Sequence, residues 1–253
     1  MEFMELLLYS AVGLAIGIML FVKGLSWMKQ KRLIENTPTS KARSIAMGMV
    51  EVYGKAVPAF GKILKSPLME KECVYYRFKV EERRGSGKNA RWVTILSGDD
   101  SIKFWLQDET GSVLVDPKGA SVDIPADFSL DSHMGSDPPP TVQRLLKAHG
   151  MSFEGFLGIN KSMRFTECII EPGNKLYVMG TAGDNPFKEE ATAVEGSEDV
   201  MIQWGEHETF YISDRQEKDI LKSLGWKVAG GVFGGGLLTV GSLAVILISL
   251  KIF

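Results

Sequence analysis

The sequence predicts an α+β fold: a central domain of mainly antiparallel β-sheet, or a small barrel, with short helices and a transmembrane helix on either side. Three observations predict this organisation. Two apolar stretches of membrane-spanning length lie at the ends of the 253-residue chain, at positions 3–22 and 228–250. Between them, short stretches of alternating apolar and polar residues are separated by turn residues. Most of the charged residues, which make up 24% of the chain, also lie between them.

Each terminal stretch is long enough to cross a bilayer as a helix. At about 1.5 Å per residue, about 20 residues span the roughly 30 Å of hydrocarbon, and a helix satisfies its own backbone hydrogen bonds there. The second stretch carries no charge, and the first carries only Glu5 near its outer end. The alternative for the first stretch is a cleaved signal peptide, which would begin with basic residues and have a shorter apolar core. We therefore expect an uncleaved anchor.

The charges beside the two spans predict which side of the membrane the domain faces. Seven basic residues flank the spans on the domain side, whereas the outer flanks carry only the α-amino group and Lys251; the seven are Lys23, Lys29, Lys31, Arg32, Lys218, Lys222 and Lys227. An excess of lysine and arginine is typical of the cytoplasmic flanks of membrane helices. We therefore expect the central domain in the cytoplasm and both termini outside.

The spans divide the chain into four predicted segments. They are a first transmembrane anchor (1–27), a basic connector (28–46), a β-rich domain (47–225) and a second transmembrane anchor (226–253). The formal net charge of -2 gives no electrostatic reason to expect a nucleic-acid partner. The two spans predict the lipid bilayer as one partner. The other predicted partner is an unidentified membrane or cytoplasmic protein.

The motifs and composition predict no catalytic site, no metal site and no cofactor. A structural zinc site takes four cysteine or histidine ligands, whereas this chain has two distant cysteines and three scattered histidines. Residues 84–88 (RGSGK) lack the glycine spacing of a phosphate-binding loop, and the sequence contains no Gly-x-Ser-x-Gly elbow. Cys73 and Cys168 lie in apolar, strand-like stretches, which favours small buried side chains over reactive thiols.

Alternation and turn residues predict the strands of the domain. The predicted strands cover residues 49–57, 73–80, 91–96, 101–107, 112–115, 120–124, 164–170, 175–181, 201–204 and 209–212. Strands this short are typical of a twisted antiparallel sheet or a small barrel. The turn at 171–174 predicts a hairpin of the strands beside it, and the last two strands are expected to pair with each other. Helices are predicted at 141–149 and, capped by Ser213, at 214–224.

Five stretches of the chain resemble a known family. They are TPTSKARSIAMGMVEVYGKA (37–56), LKSPLMEKECVYYRFKVEE (64–82), FWLQDETGSVLVDPKGASVDIP (104–125), RFTECIIEPGNKLYVMGTA (164–182) and ISDRQEKDILKSL (212–224). Together they resemble the GIDE domain, also called the beside-a-membrane (BAM) domain, of the mitochondrial membrane-anchored E3 ubiquitin ligase family. The resemblance implies a domain that binds or senses something beside a membrane.

The same resemblance implies a RING finger after the second span in the eukaryotic ligases, where it recruits the ubiquitin-charged enzyme. This sequence ends at Phe253, directly after the span, and it lacks the ligands of a RING finger. We therefore expect a protein similar to the RING-less prokaryotic members, in a prokaryotic cell membrane. The ligase activity of the family is carried over to no residue of this chain.

The turns and one sheet face of the domain supply six candidate ligand-binding residues. They are Tyr75, Arg77, Trp105, Asp108, Asp116 and Lys118. In a binding module, a groove or sheet edge supplies affinity and loops supply specificity. The alternative is that these residues stabilise hairpins and the core.

Glycines in the spans predict close packing of helices. Three pairs have a spacing of four residues: Gly13 with Gly17, Gly230 with Gly234, and Gly231 with Gly235. Because such grooves let helices approach closely, we expect the two helices to pack on each other or on a second copy of the chain as a homodimer. The alternative is that the glycines are ordinary content of membrane helices.

Three classes of function are open on the sequence alone. The first, which we predict, is a non-enzymatic two-span membrane protein whose domain is a binding or sensing module in envelope or stress homeostasis. The second is a member of the E3 ubiquitin ligase family that takes part in ubiquitin or ubiquitin-like transfer. It would act through a partner in trans, or through Cys73 or Cys168 as an acyl-accepting thiol. The third is a structural tether without a ligand.

Overall fold

The computed structural model of the chain contains two compact units. It describes residues 2–37, 39–85, 87–133, 137–154, 160–187, 200–205, 209–215 and 217–250. One unit consists of Met1–Pro38 and Arg215–Phe253, and the other of Thr39–Asp214. The predicted α+β fold is confirmed, because long apolar helices form the first unit and a small β-barrel with additional strands forms the second.

Long helices make up the terminal unit. Helix α1 (Glu2–Asn36) is continuous, so it also includes residues 28–36 of the predicted connector. Towards the other end of the chain, helix α3 (Glu217–Ala229) leads through a π-helical segment (Gly230–Gly234) into helix α4 (Gly235–Ser249).

Two helical segments of this unit are candidate membrane spans. Met4–Asn36 and Glu217–Ser249 each contain 33 residues and are apolar enough to cross a bilayer. At about 1.5 Å per residue each is about 50 Å long, which exceeds the hydrocarbon thickness of about 30 Å. These helices indicate a membrane protein.

Glycines bring the two candidate spans into close contact within the terminal unit. A Cβ atom added at Gly24 would lie 2.6 Å from the backbone nitrogen of Val232, and one added at Gly235 would lie 2.6 Å from that of Phe21. The backbones can approach this closely because glycine has no side chain to fill the contact.

The predicted glycine pairs lie on different faces of these helices. Added Cβ atoms would meet the neighbouring span at Gly13, Gly17, Gly231 and Gly235. An added Cβ would have no described atom within 4 Å at Gly230 and Gly234. The helices therefore pack on each other through one set of glycines and not through the other.

The central unit contains fourteen strands among its described residues. They are β1 (Thr39–Ser40), β2 (Gly48–Pro58), β3 (Leu64–Lys65), β4 (Glu72–Cys73), β5 (Tyr75–Arg84), β6 (Arg91–Ser101), β7 (Phe104–Gln107), β8 (Ser112–Val115), β9 (Ser121–Asp123), β10 (Phe128–Ser132), β11 (Met163–Ile170), β12 (Lys175–Asp184), β13 (Val200–Gln203) and β14 (Tyr211–Ser213). Helix α2 (Pro140–Ala148) lies between β10 and β11.

Five of the strands close into a barrel. Hydrogen-bonded neighbours follow the order β2, β7, β8, β13 and β12, and β12 pairs again with β2. Four of these pairings are antiparallel, and the pairing of β8 with β13 is parallel. Strands β1, β14 and β9 extend the same sheet beyond the ring.

Alternation along the barrel strands separates a packed interior from a more polar outer face. Successive side chains of a strand point to opposite faces. On β2, Val52 and Ala56 are fully buried in the interior, whereas Tyr53 and Lys55 on the other face are exposed. The interior is filled by apolar side chains, among them Val50, Phe104, Leu106, Val113, Val115, Leu176, Val178 and Ile202.

A second sheet has the strand order β10, β11, β5 and β6, and its pairings are antiparallel. Its core contains Phe78 and Val80 from β5 together with Val142 and Leu146 from α2. Helix α2 begins at Pro140, whose fixed φ suits the first turn of a helix.

Two strand pairings predicted from local patterns are wrong. Strands β11 and β12 flank the turn at 171–174 but belong to different sheets. The turn hydrogen-bonds instead to β2, because Gly173 N–H donates to the Ala56 carbonyl at 2.7 Å and Ala56 N–H donates to the Asn174 carbonyl at 2.9 Å. Strands β13 and β14 both pair with β12 and not with each other.

The predicted cap of the last helix is also wrong. Ser213 is the final residue of β14, and its hydroxyl donates to the Asp123 carbonyl at 2.9 Å. The helix begins only at Glu217. The acidic, small-residue stretch 183–199, which the sequence predicts to be an exposed loop, lies mostly outside the described residues, and strand β12 reaches Asp184.

Candidate functional site: a polar cleft on the barrel

A cleft of about 470 Å³ lies on the outside of the barrel, where two neighbours of β2 diverge. Strand β12 pairs with residues 48–55 of β2, so β1 and β7 share the other side, at residues 51–52 and 55–58. Tyr53 and Gly54 lie between these two pairings. The cleft is lined by Thr39, Ser40, Lys41, Tyr53, Gly54, Lys55, Gln107, Asp108, Glu109 and Lys175.

A buried carboxylate fixes β1 beside β2. Glu51 is 1% exposed, and its two oxygens accept hydrogen bonds from the hydroxyls of Thr39 and Tyr177, each at 2.9 Å. Charge-assisted bonds of this kind are stronger than neutral ones. One side chain on β2 therefore holds both β1 and β12 in the positions that form the cleft.

Hydrogen-bond donors face the cleft from three adjacent strands. Gln107 on β7 and Lys175 on β12 are both direct cross-strand partners of Lys55 on β2. Directly opposite residues share a face and lie about 4.5–5.5 Å apart at their Cβ atoms. Tyr53 lies two residues before Lys55, on the same face, and is 37% exposed. Two ammonium groups, a phenol and an amide therefore lie around one opening.

The acidic side chains of the cleft are engaged within the protein. Asp108 accepts the Ala42 N–H at 2.9 Å on one oxygen and the N–H and hydroxyl of Thr110, both at 2.6 Å, on the other. Partial burial raises the pKa of Asp108, but these hydrogen bonds outweigh it and hold the pKa below the usual 3.8. Glu109 forms an ion pair with Lys41.

The donors of the cleft have no such partners. Within the part of the chain that the structure describes, the side chains of Tyr53, Lys55, Gln107 and Lys175 form no hydrogen bond or ion pair. Like charges directly opposite each other on neighbouring strands are destabilising. The cleft therefore combines acceptors that are engaged within the protein with exposed donors that have no described protein partner, including two adjacent lysines.

One of the six residues predicted as ligand-binding lies in this cleft. Asp108 lines it, although its carboxylate is occupied by the turn that it forms. Asp116 forms an ion pair with Lys103 at 3.1 Å and accepts the backbone N–H of Lys118 at 3.3 Å. The side chain of Lys118 is exposed.

The other three predicted residues lie elsewhere in the domain. Tyr75, on β5, is 6% exposed in the main core, and Trp105, on β7, is 7% exposed in a separate apolar cluster. Arg77 is exposed and lines a second cleft of about 450 Å³, between its cross-strand partners Cys168 and Asp99. The structure therefore does not bring the six residues to one place.

The two thiols differ in their surroundings. Cys73 is fully buried, and burial raises the pKa of its thiol to about 12, with further increases from the carboxylates of Glu167 and Glu171. Cys168 is 8% exposed and lies at the second cleft. Among the described residues, no group of three or more His, Cys, Asp or Glu side chains is arranged to hold a metal ion.

Sequence reasoning missed the four free donors of the cleft. Alternation along β2 correctly places Tyr53 and Lys55 on one face. The sequence contains no local signal that pairs Lys55 with Lys175, because this contact depends on closure of the barrel between β2 and β12.

The fold and the cleft define a class of protein: a β-barrel domain with a polar surface cleft, flanked in sequence by two candidate membrane spans. The GIDE family model, described as E3 Ubiquitin ligase, matches residues 75–247, which is more than half of the chain. The chain belongs to the GIDE family, as its resemblance predicted. Searches of curated proteins and of solved structures found no match.

Proposed function

We propose that this protein is a non-catalytic binding or sensing module attached to a membrane by both ends of its chain. The observation that carries the proposal is the cleft, where Tyr53, Lys55, Gln107 and Lys175 offer donors that the described protein does not use. Ligand sites are concave and place a small number of polar groups around one opening.

The location of the module forms part of the same proposal. The two candidate spans support attachment to a membrane. The basic residues on their domain sides support a cytoplasmic domain with both termini outside, in the cell membrane of a prokaryote.

Photocrosslinking in native membranes tests the binding role. Tyr53 is replaced by the photoreactive p-benzoylphenylalanine, and the matched control carries the same group at Lys147, an exposed position on α2 outside the cleft. We expect a discrete adduct from the Tyr53 position and none from the Lys147 position. Equal labelling at both positions, or no adduct at Tyr53, would contradict a binding role for the cleft.

The description of the family favours a second candidate, participation in ubiquitin transfer. In this case the protein would act through a partner in trans or through Cys168, because thiol chemistry at Cys73 is opposed by its burial and its pKa of about 12. The two candidates differ in an assay with a ubiquitin-charged conjugating enzyme. A binding module leaves the rate of ubiquitin discharge unchanged, whereas a ligase increases it.

A further inference from the structure

We propose that the cleft binds a phosphate-bearing anion between Lys55 and Lys175. The inference rests on the proposed binding function and names the class of ligand. It follows from three properties of the cleft: its uncompensated charge, its excess of donors and the rigid strands that carry them.

The charge that no ion pair compensates in the cleft is positive. Among the described residues, only Lys41 of its three lysines forms an ion pair, with Glu109. Asp108 accepts backbone and hydroxyl hydrogen bonds and keeps its negative charge, so three lysines against Asp108 and Glu109 give the cleft a net charge of +1. Lys55 and Lys175 are left facing each other across two strands, where an anion between them would replace a repulsion with two attractions.

The number of free donors favours phosphate over a single carboxylate. Two ammonium groups, a phenol and a primary amide supply about nine N–H and O–H groups, whereas a carboxylate offers about four acceptor sites. A phosphate group has more acceptor oxygens and more negative charge, and lysine binds it well as a point charge. The cleft of about 470 Å³ also leaves room for the group that the phosphate is attached to.

The donors are carried by regular strands rather than by loops. Lys55 and Tyr53 lie in β2, and Lys175 begins β12, so their Cα positions are fixed by the barrel. Gly54 lets β7 approach β2, because a Cβ atom there would lie 2.7 Å from the Gln107 carbonyl oxygen. The backbone of the site therefore exists before a ligand arrives, which lowers the cost of binding.

Equilibrium dialysis of the full chain in nonionic detergent, with radiolabelled inorganic phosphate as the probe, tests this inference. We expect saturable binding that weakens as ionic strength rises. Lys55→Gln and Lys175→Gln should each reduce the affinity about tenfold, the effect of removing one charge-assisted hydrogen bond. Lys147→Gln removes the same charge at an exposed site outside the cleft and should leave the affinity unchanged.

Lys175→Glu separates loss of binding from loss of folding. The new carboxylate would face Lys55 and form an ion pair with it, whereas the natural residue at this position repels Lys55. We expect phosphate binding to be abolished while the unfolding temperature is maintained or raised. Unchanged binding in the Lys55 and Lys175 variants, or no phosphate binding by the natural protein, would overturn the inference.

Reconstitution distinguishes a lipid headgroup from a soluble phosphate compound as the source of the phosphate. In nanodiscs that contain phosphatidylglycerol, a lipid headgroup in the cleft would reduce binding of inorganic phosphate relative to nanodiscs of phosphatidylcholine alone. Equal binding in both would identify a soluble phosphate compound as the ligand. A specific adduct at Tyr53 without any phosphate binding would overturn this inference and leave the proposed binding function in place.

Discussion

Replacing Glu167 by glutamine tests a buried polar interaction of the second sheet. Glu167 on β11 is fully buried, and its two oxygens accept the backbone N–H groups of Leu68 at 2.9 Å and Met69 at 2.8 Å. These residues lie in the turn between β3 and β4, and the Leu68 side chain is 2% exposed in the core of the second sheet. One carboxylate therefore holds a turn that is distant in sequence.

The expected cost follows from the two hydrogen bonds. A bond to a charged group contributes about 1.5–3 kcal/mol, and a buried N–H without an acceptor costs about 1–3 kcal/mol. The glutamine variant keeps one acceptor and directs its NH₂ group at the other N–H, so we expect a loss of about 2–3 kcal/mol in the free energy of unfolding. Glu167→Ala removes both acceptors and should cost more.

The assay is pulse proteolysis of the full chain in detergent over a series of urea concentrations. Glu171→Gln is the matched control, because the described partner of the Glu171 carboxylate is Lys71, in a surface ion pair at 2.6 Å, and this substitution should change stability little. The reasoning would be refuted if Glu167→Gln lay within about 0.5 kcal/mol of the natural protein, the range of ordinary surface substitutions.

Three further predictions concern a thiol, a turn and the helix contact. Cys73, fully buried with a thiol pKa of about 12, should resist iodoacetamide at neutral pH until the protein is unfolded; rapid modification of the native protein would contradict its burial. Because the folded-state pKa of Asp108 is lowered, its stabilising effect is present above pH 4 and is lost as the pH falls through that lower pKa. The stability difference from Asp108→Asn should therefore shrink on acidification, and a constant difference would exclude this linkage. Gly24→Leu should lower the unfolding temperature of the helices in detergent, whereas Gly234→Leu should change it little; equal effects would argue against the packing described.

Local sequence patterns identified the strands well because each strand has one core face. The alternating residues of β2 and the apolar stretch of β8, predicted at 112–115 and observed as Ser112–Val115, depend only on neighbours in the chain. The glycines at 85 and 87 likewise predict a tip that joins two strands, and β5 and β6 pair there, with Gly85 at a φ of 86°.

Strand pairing was less predictable because it depends on distant residues. The turn at 171–174 resembles a hairpin loop, yet β11 pairs with β5 and β10, and β12 closes the barrel against β2. In each strand six residues are buried, and they fall on both faces, so alternation does not indicate which partner each strand pairs with.

The candidate site was only partly predictable for the same reason. Asp108 was identified from its turn, whereas the free donors of the cleft come together only when β2 pairs with β7 and β12. The sequence predicts Tyr75 and Trp105 as candidates on one sheet face, whereas the structure places them in apolar clusters, where aromatic side chains contribute large buried areas.

Labelling of single cysteines from outside the cell tests the central claim, a domain held by two membrane-crossing ends, most directly. Cysteine replaces Glu2, Lys251 or the exposed Lys118 in separate variants in which Cys73 and Cys168 are replaced by alanine, and a membrane-impermeant maleimide is added before or after permeabilisation. We predict that the Glu2 and Lys251 variants react in intact cells and that the Lys118 variant reacts only after permeabilisation. Reaction of the Lys118 variant in intact cells, or of only one terminus, would contradict the account.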